Sequence, residues 1–197
     1  MHALQNFFHV DSESLPKQDQ LDRAVYNLNA ILPGDIVIKR LFQVKADLHS
    51  RFDAIARTYK YFIYTQKDPF VDHRAYYYPY QLDMDKLNEA AAIIQATNDF
   101  IAFSKKNSQV KHYQCTILSS GWNWEDNLLV YTIKGNRFLR GMVKGLVGTM
   151  LKYGTGKLTL EGFRNVIHSN QVAQADFSVP SHGLFLIEVD FPAVQAK

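Results

Sequence analysis

Two stretches of the sequence combine cationic side chains with aromatic rings. Residues 51–64 hold two arginines, one lysine and three tyrosines within a span that is otherwise typical of a buried strand. Residues 135–144 hold two more arginines and a lysine around Phe138. Cations bind phosphate and aromatic faces stack on bases, so both stretches carry the groups that an RNA-binding site requires. They lie far apart along the chain, so a single site made from both would depend on the fold.

Few other kinds of chemistry are indicated. Cys115 is the single cysteine, which excludes an intrachain disulfide and a multi-cysteine zinc site, and we interpret it as a buried bystander. The seven histidines lack the spacing of metal ligands. The sequence contains no P-loop, no G-x-G-x-x-G motif and no nucleophile elbow. We therefore assign no metal, and the usual catalytic motifs are nearly absent.

The composition is that of a globular protein. With 47% hydrophobic and 13% aromatic residues, the 197-residue chain can form one large domain or two small ones. Its formal charge of +3 permits nucleic-acid binding without requiring it. No apolar run approaches the roughly 18 residues that span a bilayer, and the first residues lack the features of a signal peptide. We expect a cytoplasmic protein.

Strands and helices are predicted without regular β-α-β alternation, which favours an α+β fold with helices packed on an antiparallel or mixed sheet. One predicted strand has Tyr59, Tyr61 and Ile63 on one face, and either Asp83 or Asp85 can cap a helix with a periodic apolar face. The final strand, 183–191, is predicted to point Phe185, Ile187, Val189 and Phe191 inward. The remaining elements are strand 4–10, a helix from Leu21 to Ile31, short strand segments at 36–38 and 41–44, a hairpin of 114–122 with 128–134, and helices at 137–153 and 159–169.

The predicted helix 137–153 carries three cations on one face. Arg137, Arg140 and Lys144 are spaced by three and four residues near its N-terminus, where the helix dipole prefers anions. An anionic partner would explain this placement, and a solvated basic face is an equally good alternative. Lys105 and Lys106 present the same choice between phosphate contacts and a solvated loop.

Several ordered motifs resemble those of the tRNA pseudouridine synthase A family. They cover nearly the whole chain, and together they are far more specific than any one alone. The matching segments are H-A-L-Q-N at 2–6, L-N-A-I-L-P-G-D-I at 28–36, H-S-R-F-D-A-I-A-R-T-Y-K-Y at 49–61, N-D-F-I-A-F-S at 98–104, G-N-R-F-L-R-G-M-V-K-G-L-V-G at 135–148 and P-S-H-G-L-F-L at 180–186.

The resemblance implies an isomerase that converts uridine to pseudouridine in the tRNA anticodon stem-loop. It implies that Tyr59 packs on the target uracil, that Leu184 lines the uracil pocket and that Lys144 pairs with the catalytic aspartate, where the family more often has arginine. Arg57, Arg137 and Arg140 are our candidates for phosphate contacts. Members of this family work as homodimers and need no cofactor or metal.

The family's catalytic aspartate lies in a G-R-T-D-x-G-V-H-A motif, four residues before the histidine that matches His2. Only Met1 precedes His2 here, and neither Asp35 nor Asp53 occupies the matching position. We therefore expect no catalytic residue other than the supporting Lys144, with residues 1–50 a remnant of a truncated first domain and 51–197 a second domain of the pseudouridine synthase fold. The alternatives are a non-catalytic RNA-binding module derived from that fold and, more remotely, a small-molecule enzyme on a similar scaffold.

Overall fold

A mixed six-stranded sheet with helices packed on it forms the larger part of the protein. The structure is a computed structural model that describes residues 1–14, 17–106 and 110–192. The chain divides into two compact units, one made of Met1–Asn6 with Ala54–Asp190 and the other of Phe7–Asp53 with Phe191 and Pro192. The α+β class predicted from the sequence is confirmed. The division at residue 50 into a remnant and a complete domain stays a prediction.

The strands of the larger unit form a sheet in the order β1-β6-β2-β5-β4, with β3 pairing onto β2. Strand β2 is antiparallel to both β5 and β6, whereas β1 runs parallel to β6. Helix α2 packs against β4 and α3. The elements in chain order are β1 (His2–Ala3), α1 (Gln18–Ile31), β2 (Ala56–Tyr64), β3 (Tyr76–Tyr77), α2 (Met84–Ala96), a 3-10 helix (Ile101–Phe103), β4 (Ile117–Glu125), β5 (Leu128–Gly135), α3 (Met142–Gly154), α4 (Leu160–Ile167) and β6 (Leu184–Asp190).

Several predicted elements are confirmed. Tyr61 and Ile63 are fully buried, and Tyr59 packs against the same core. Asp83 caps α2 by accepting hydrogen bonds from the backbone amides of Asp85 and Lys86. In α3, Met142, Leu146 and Met150 are buried in this core, and Phe138, which precedes the helix, packs against it.

Helix α3 begins five residues later than predicted. Gly141 has a φ of 79°, a left-handed conformation that ends the irregular segment before the helix. Asn136 instead extends the pairing of β5 with the residue that precedes β4. Its backbone amide donates to the Thr116 carbonyl, and its side-chain oxygen accepts from the Thr116 amide. Arg137 and Arg140 therefore precede the helix, and the prediction that they share a helical face with Lys144 is wrong.

The inward face of the last strand was predicted correctly at Val189 but wrongly at Phe185 and Ile187, and Phe191 lies beyond the end of β6. A β-bulge lies between Thr58 and Tyr59, where the partner on β6 jumps from Glu188 to Leu186. The extra residue reverses the alternation, as bulges do. The buried residues of β6 are accordingly Leu184, Leu186 and Val189, whereas Phe185 and Ile187 are only half-buried. Leu184 is thus on the same side of the sheet as the core.

Three predicted segments of extended chain do not form as strands. Residues 4–10, 36–38 and 41–44 lie outside the strands of the structure. Ile38 is instead fixed to α1, because its amide and carbonyl both hydrogen-bond to the side-chain amide of Asn29. No residue of α1 is buried, so its apolar positions do not build a core of their own.

Candidate nucleotide-binding cleft

A cleft of about 250 Å³ opens on the larger unit, and its walls come from distant parts of the chain. Tyr59 from β2, Lys144 from α3 and Leu184 from β6 all line it. Drug-sized ligands occupy pockets of about 300 Å³ or more, so this smaller volume suits a group the size of a single nucleobase. The structure therefore brings together the three residues that the family resemblance selected.

Tyr59 forms an aromatic wall of the cleft. Its backbone is held between two strands, opposite Ile133 on β5 and Leu186 on β6. Phe138 packs edge-on against its ring, with centroids 5.1 Å apart and an interplanar angle of 82°. Burial raises the pKa of the Tyr59 hydroxyl, and the positive charge of Arg57 partly offsets this increase. A neutral, immobilised ring of this kind can stack on a base.

Leu184 is positioned by a turn that is fastened to β2. The buried Tyr61 hydroxyl donates a 2.7 Å hydrogen bond to the Pro180 carbonyl, and the Phe62 amide donates a 2.9 Å bond to the Gly183 carbonyl. A Cβ at Gly183 would lie 2.9 Å from both the Phe62 carbonyl oxygen and the Tyr61 ring, so only glycine allows this approach. The turn holds the apolar Leu184 side chain as a fixed wall.

Lys144 supplies positive charge from the first turn of α3. Burial lowers the pKa of its ammonium group, and the nearby charge of Lys105 lowers it further. Among the described residues, no Asp or Glu forms an ion pair with either lysine, and none is part of the cleft wall. One partly buried ammonium group and one exposed ammonium group, with no carboxylate among the described cleft residues, favour an anion in the cleft.

The three arginines predicted to bind RNA do not share one location. Arg140 is exposed and lines the cleft, at the end of the segment that precedes α3. Arg57 lies on β2 opposite Gly135 and is close enough to affect the Tyr59 hydroxyl. Arg137 lies against the His112 ring, with its Nη1 atom 2.7 Å from Nε2. Of the three, only Arg140 is among the described residues that line the cleft, and the predicted helical stripe does not form.

Lys105 lines the cleft, although the sequence alone does not distinguish a phosphate contact from a solvated loop at this residue. It follows the 3-10 helix and lines the cleft beside Lys144. Its motif, F-I-A-F-S-K, was visible in the sequence, but the same pattern also fits a solvated loop. Only the packing of that loop against α3 distinguishes the two.

Other candidate sites add no chemistry in the part of the chain that the structure describes. No three or more His, Cys, Asp or Glu side chains among these residues are grouped so that they could hold a metal ion. Cys115 is buried, and burial raises its pKa to about 11. No helix within the described ranges is long and apolar enough to cross a membrane.

Comparison with known proteins gives the same family as the motifs. The sequence profile described as tRNA pseudouridine synthase matches residues 90–192. The chain is 42% identical over 193 residues to the tRNA pseudouridine synthase A of Bacteroides fragilis, covering 98% of this chain and 76% of that protein. This chain belongs to the tRNA pseudouridine synthase family. Other family members include those of Bacteroides thetaiotaomicron, 43% identical over 98% of this chain and 71% of the relative, and Parabacteroides distasonis, 45% identical over 84% of this chain and 66% of the relative.

Proposed function

We propose that this chain binds tRNA and provides the uracil pocket of a tRNA pseudouridine synthase. The observation that carries the proposal is the convergence of Tyr59, Lys144 and Leu184 on one small cleft, although they come from three separate elements. The name that its relatives share, tRNA pseudouridine synthase A, supports tRNA as the substrate. Homodimer formation and a cytoplasmic location stay predictions.

Each of the three residues has a distinct task in this proposal. The reaction cleaves the bond between ribose C1′ and uracil N1, turns the base, and rejoins C1′ to C5. A uridine inside a stem must leave its stack to react, and the Tyr59 ring replaces part of the stacking it loses. Leu184 keeps water from the base while the glycosidic bond is open, and Lys144 holds an anionic group beside it.

The reaction also needs a carboxylate as nucleophile or base, and the described residues of the cleft wall contain none. We therefore propose that the 197 residues bind tRNA without isomerising uridine. The family resemblance implies that an aspartate supplies this carboxylate, and the chain spans 76% of the Bacteroides fragilis relative.

Tritium release from tRNA labelled at uridine C5 tests this prediction. We expect no release above background from the purified chain, because the described residues that line the cleft include no carboxylate. Joining a segment with the family's G-R-T-D-x-G-V-H-A motif to this chain is expected to produce release. Turnover by the unextended 197 residues would contradict the proposal.

The same experiment separates the enzyme from the alternative of a non-catalytic RNA-binding module. The specific observation that favours the alternative is again a cleft without a carboxylate among its described walls. If the extended chain binds tRNA and stays inactive, the cleft has lost its catalytic geometry and the module is the better description. A control extension in which the aspartate is replaced by asparagine identifies release that depends on the carboxylate.

A further inference from the structure

Lys105 is held at the cleft by a rigid backbone. It follows Ser104, which is fully buried, and the carbonyl of Ser104 accepts a 2.9 Å hydrogen bond from the Ala173 amide. The Ala102 carbonyl accepts from the amides of Gln174 and Ala175, both at 3.1 Å. These bonds fasten the end of the 3-10 helix to residues 173–175, so the Lys105 side chain extends from a fixed point.

The Lys105 side chain is also held along its length. Its carbon stem lies against Gly141, where an added Cβ would be only 3.0 Å from the Lys105 Cε. Its ammonium lies 5.9 Å from the centre of the Phe177 ring, within the range of a cation–π contact. Phe177 in turn packs so closely on Gly145 of α3 that a Cβ there would lie 2.9 Å from the ring. These contacts with Gly141 and Phe177 distinguish Lys105 from a surface lysine that contacts only solvent.

The charges around Lys105 are not neutralised locally. Burial is the main cause of the lowered pKa of Lys144, and the charge of Lys105 lowers that pKa further, so the two ammonium groups are close enough to repel each other. Asp176 is the acidic neighbour of Phe177 in sequence, but its carboxylate pairs with Lys152 at 3.1 Å. Among the described residues, Lys105 has no ion pair with a carboxylate. The geometry leaves its ammonium available to an anion that enters the cleft.

We propose that Lys105 binds an RNA phosphate next to the nucleotide that occupies the cleft, and so positions that nucleotide. This inference rests on the proposed function. A phosphate fits the site because an ammonium is a compact point charge that needs no planar partner. Lys106, the next residue, is exposed and is not one of the described residues lining the cleft, so the role belongs to Lys105 and not to a general basic loop.

Salt-dependent RNA binding tests this inference. Fluorescence anisotropy would measure the affinity of the chain for an anticodon stem-loop hairpin across a series of KCl concentrations. Lys105→Met keeps an unbranched, apolar side chain of similar length and removes the charge. We expect binding about three- to tenfold weaker, and the slope of log K against log salt smaller by about 0.7 to 1, because one phosphate contact is lost.

Two matched variants and a melting curve complete the experiment. Lys106→Met removes an equal charge one residue away and is expected to change the slope far less, whereas Lys105→Arg is expected to restore it. Thermal melting checks that all variants fold. We expect them to fold, because Lys105 and Lys106 are both exposed. Equal effects of Lys105→Met and Lys106→Met would overturn the inference. A wild-type chain that binds the hairpin no better than a DNA hairpin would overturn the proposed function itself.

Discussion

Replacing Tyr59 with leucine is expected to weaken binding of an anticodon stem-loop hairpin by about 5- to 140-fold. Stacking of a base on an aromatic ring contributes about 1–3 kcal/mol, and each 1.4 kcal/mol is a tenfold change in affinity. Leucine preserves apolar contact with Phe138 but has no flat face for the uracil. Equilibrium binding at one fixed salt concentration measures the effect.

A second tyrosine provides the control for this prediction. Tyr113 is half-buried and packs against the core, and it is not one of the described residues that line the cleft. Tyr113→Leu therefore has a similar stability cost but leaves the proposed stacking surface intact. Equal losses of affinity in the two variants would mean that Tyr59 acts through folding and not through contact with the base.

Replacing Gly148 with alanine is expected to destabilise the protein by about 3 kcal/mol or more, against the usual preference of helices for alanine by about 1 kcal/mol. A Cβ at this position of α3 would lie 2.2 Å from the backbone carbonyl oxygen of Asp176. That backbone is fixed, because the Asp176 amide donates to Thr149 Oγ1 at 3.0 Å and its carboxylate pairs with Lys152. Helix α3 or the segment before Phe177 would have to move.

Chemical denaturation with a glycine control measures this effect. Gly162 lies in α4, where the nearest atom to an added Cβ is the terminal Cδ1 of the flexible Leu158 side chain, at 2.8 Å. Gly162→Ala is expected to leave the free energy of unfolding nearly unchanged. If Gly148→Ala proved as stable as Gly162→Ala, the close packing of α3 against Asp176 would be wrong. The position of Phe177 beside Lys105 would then also be in doubt.

The parts of the fold that were predictable from sequence depend on local patterns. The α2 positions Leu87, Ala90, Ala91 and Ile94 recur at helical spacing after an Asp83 cap, and all four are buried. The hairpin of β4 and β5 follows from two apolar runs around Asp126, whose φ of 51° is tolerated by an aspartate in a turn. In both elements, the residues that decide the structure are neighbours in the chain.

The errors arose where tertiary contacts override the local pattern. The apolar spacing of Phe138 and Met142 suits a helix, but the left-handed Gly141 and the pairing of Asn136 with Thr116 delay α3. The predicted alternation in β6 did not include the bulge between Thr58 and Tyr59. That bulge depends on how β2 and β6 pair, so the sequence of neither strand alone indicates it.

The candidate cleft was predicted only through its family motifs. Tyr59, Lys144 and Leu184 are separated by long stretches of chain, and no spacing rule links them. Lys105 could not be assigned from sequence, because its contacts with Gly141 and Phe177 join three distant segments. Residue types indicated RNA chemistry, but the arrangement of the cleft required the fold.

Photo-crosslinking tests the central claim most directly. An anticodon stem-loop hairpin with 4-thiouridine in place of its uridines would be irradiated with the chain, and the crosslinked peptides would be mapped. We predict crosslinks concentrated at Tyr59, in residues 181–184 and in residues 140–144, because these segments surround the cleft. Crosslinks confined to α2, β4 or α4 would contradict this prediction, since the described residues that line the cleft include none from those elements.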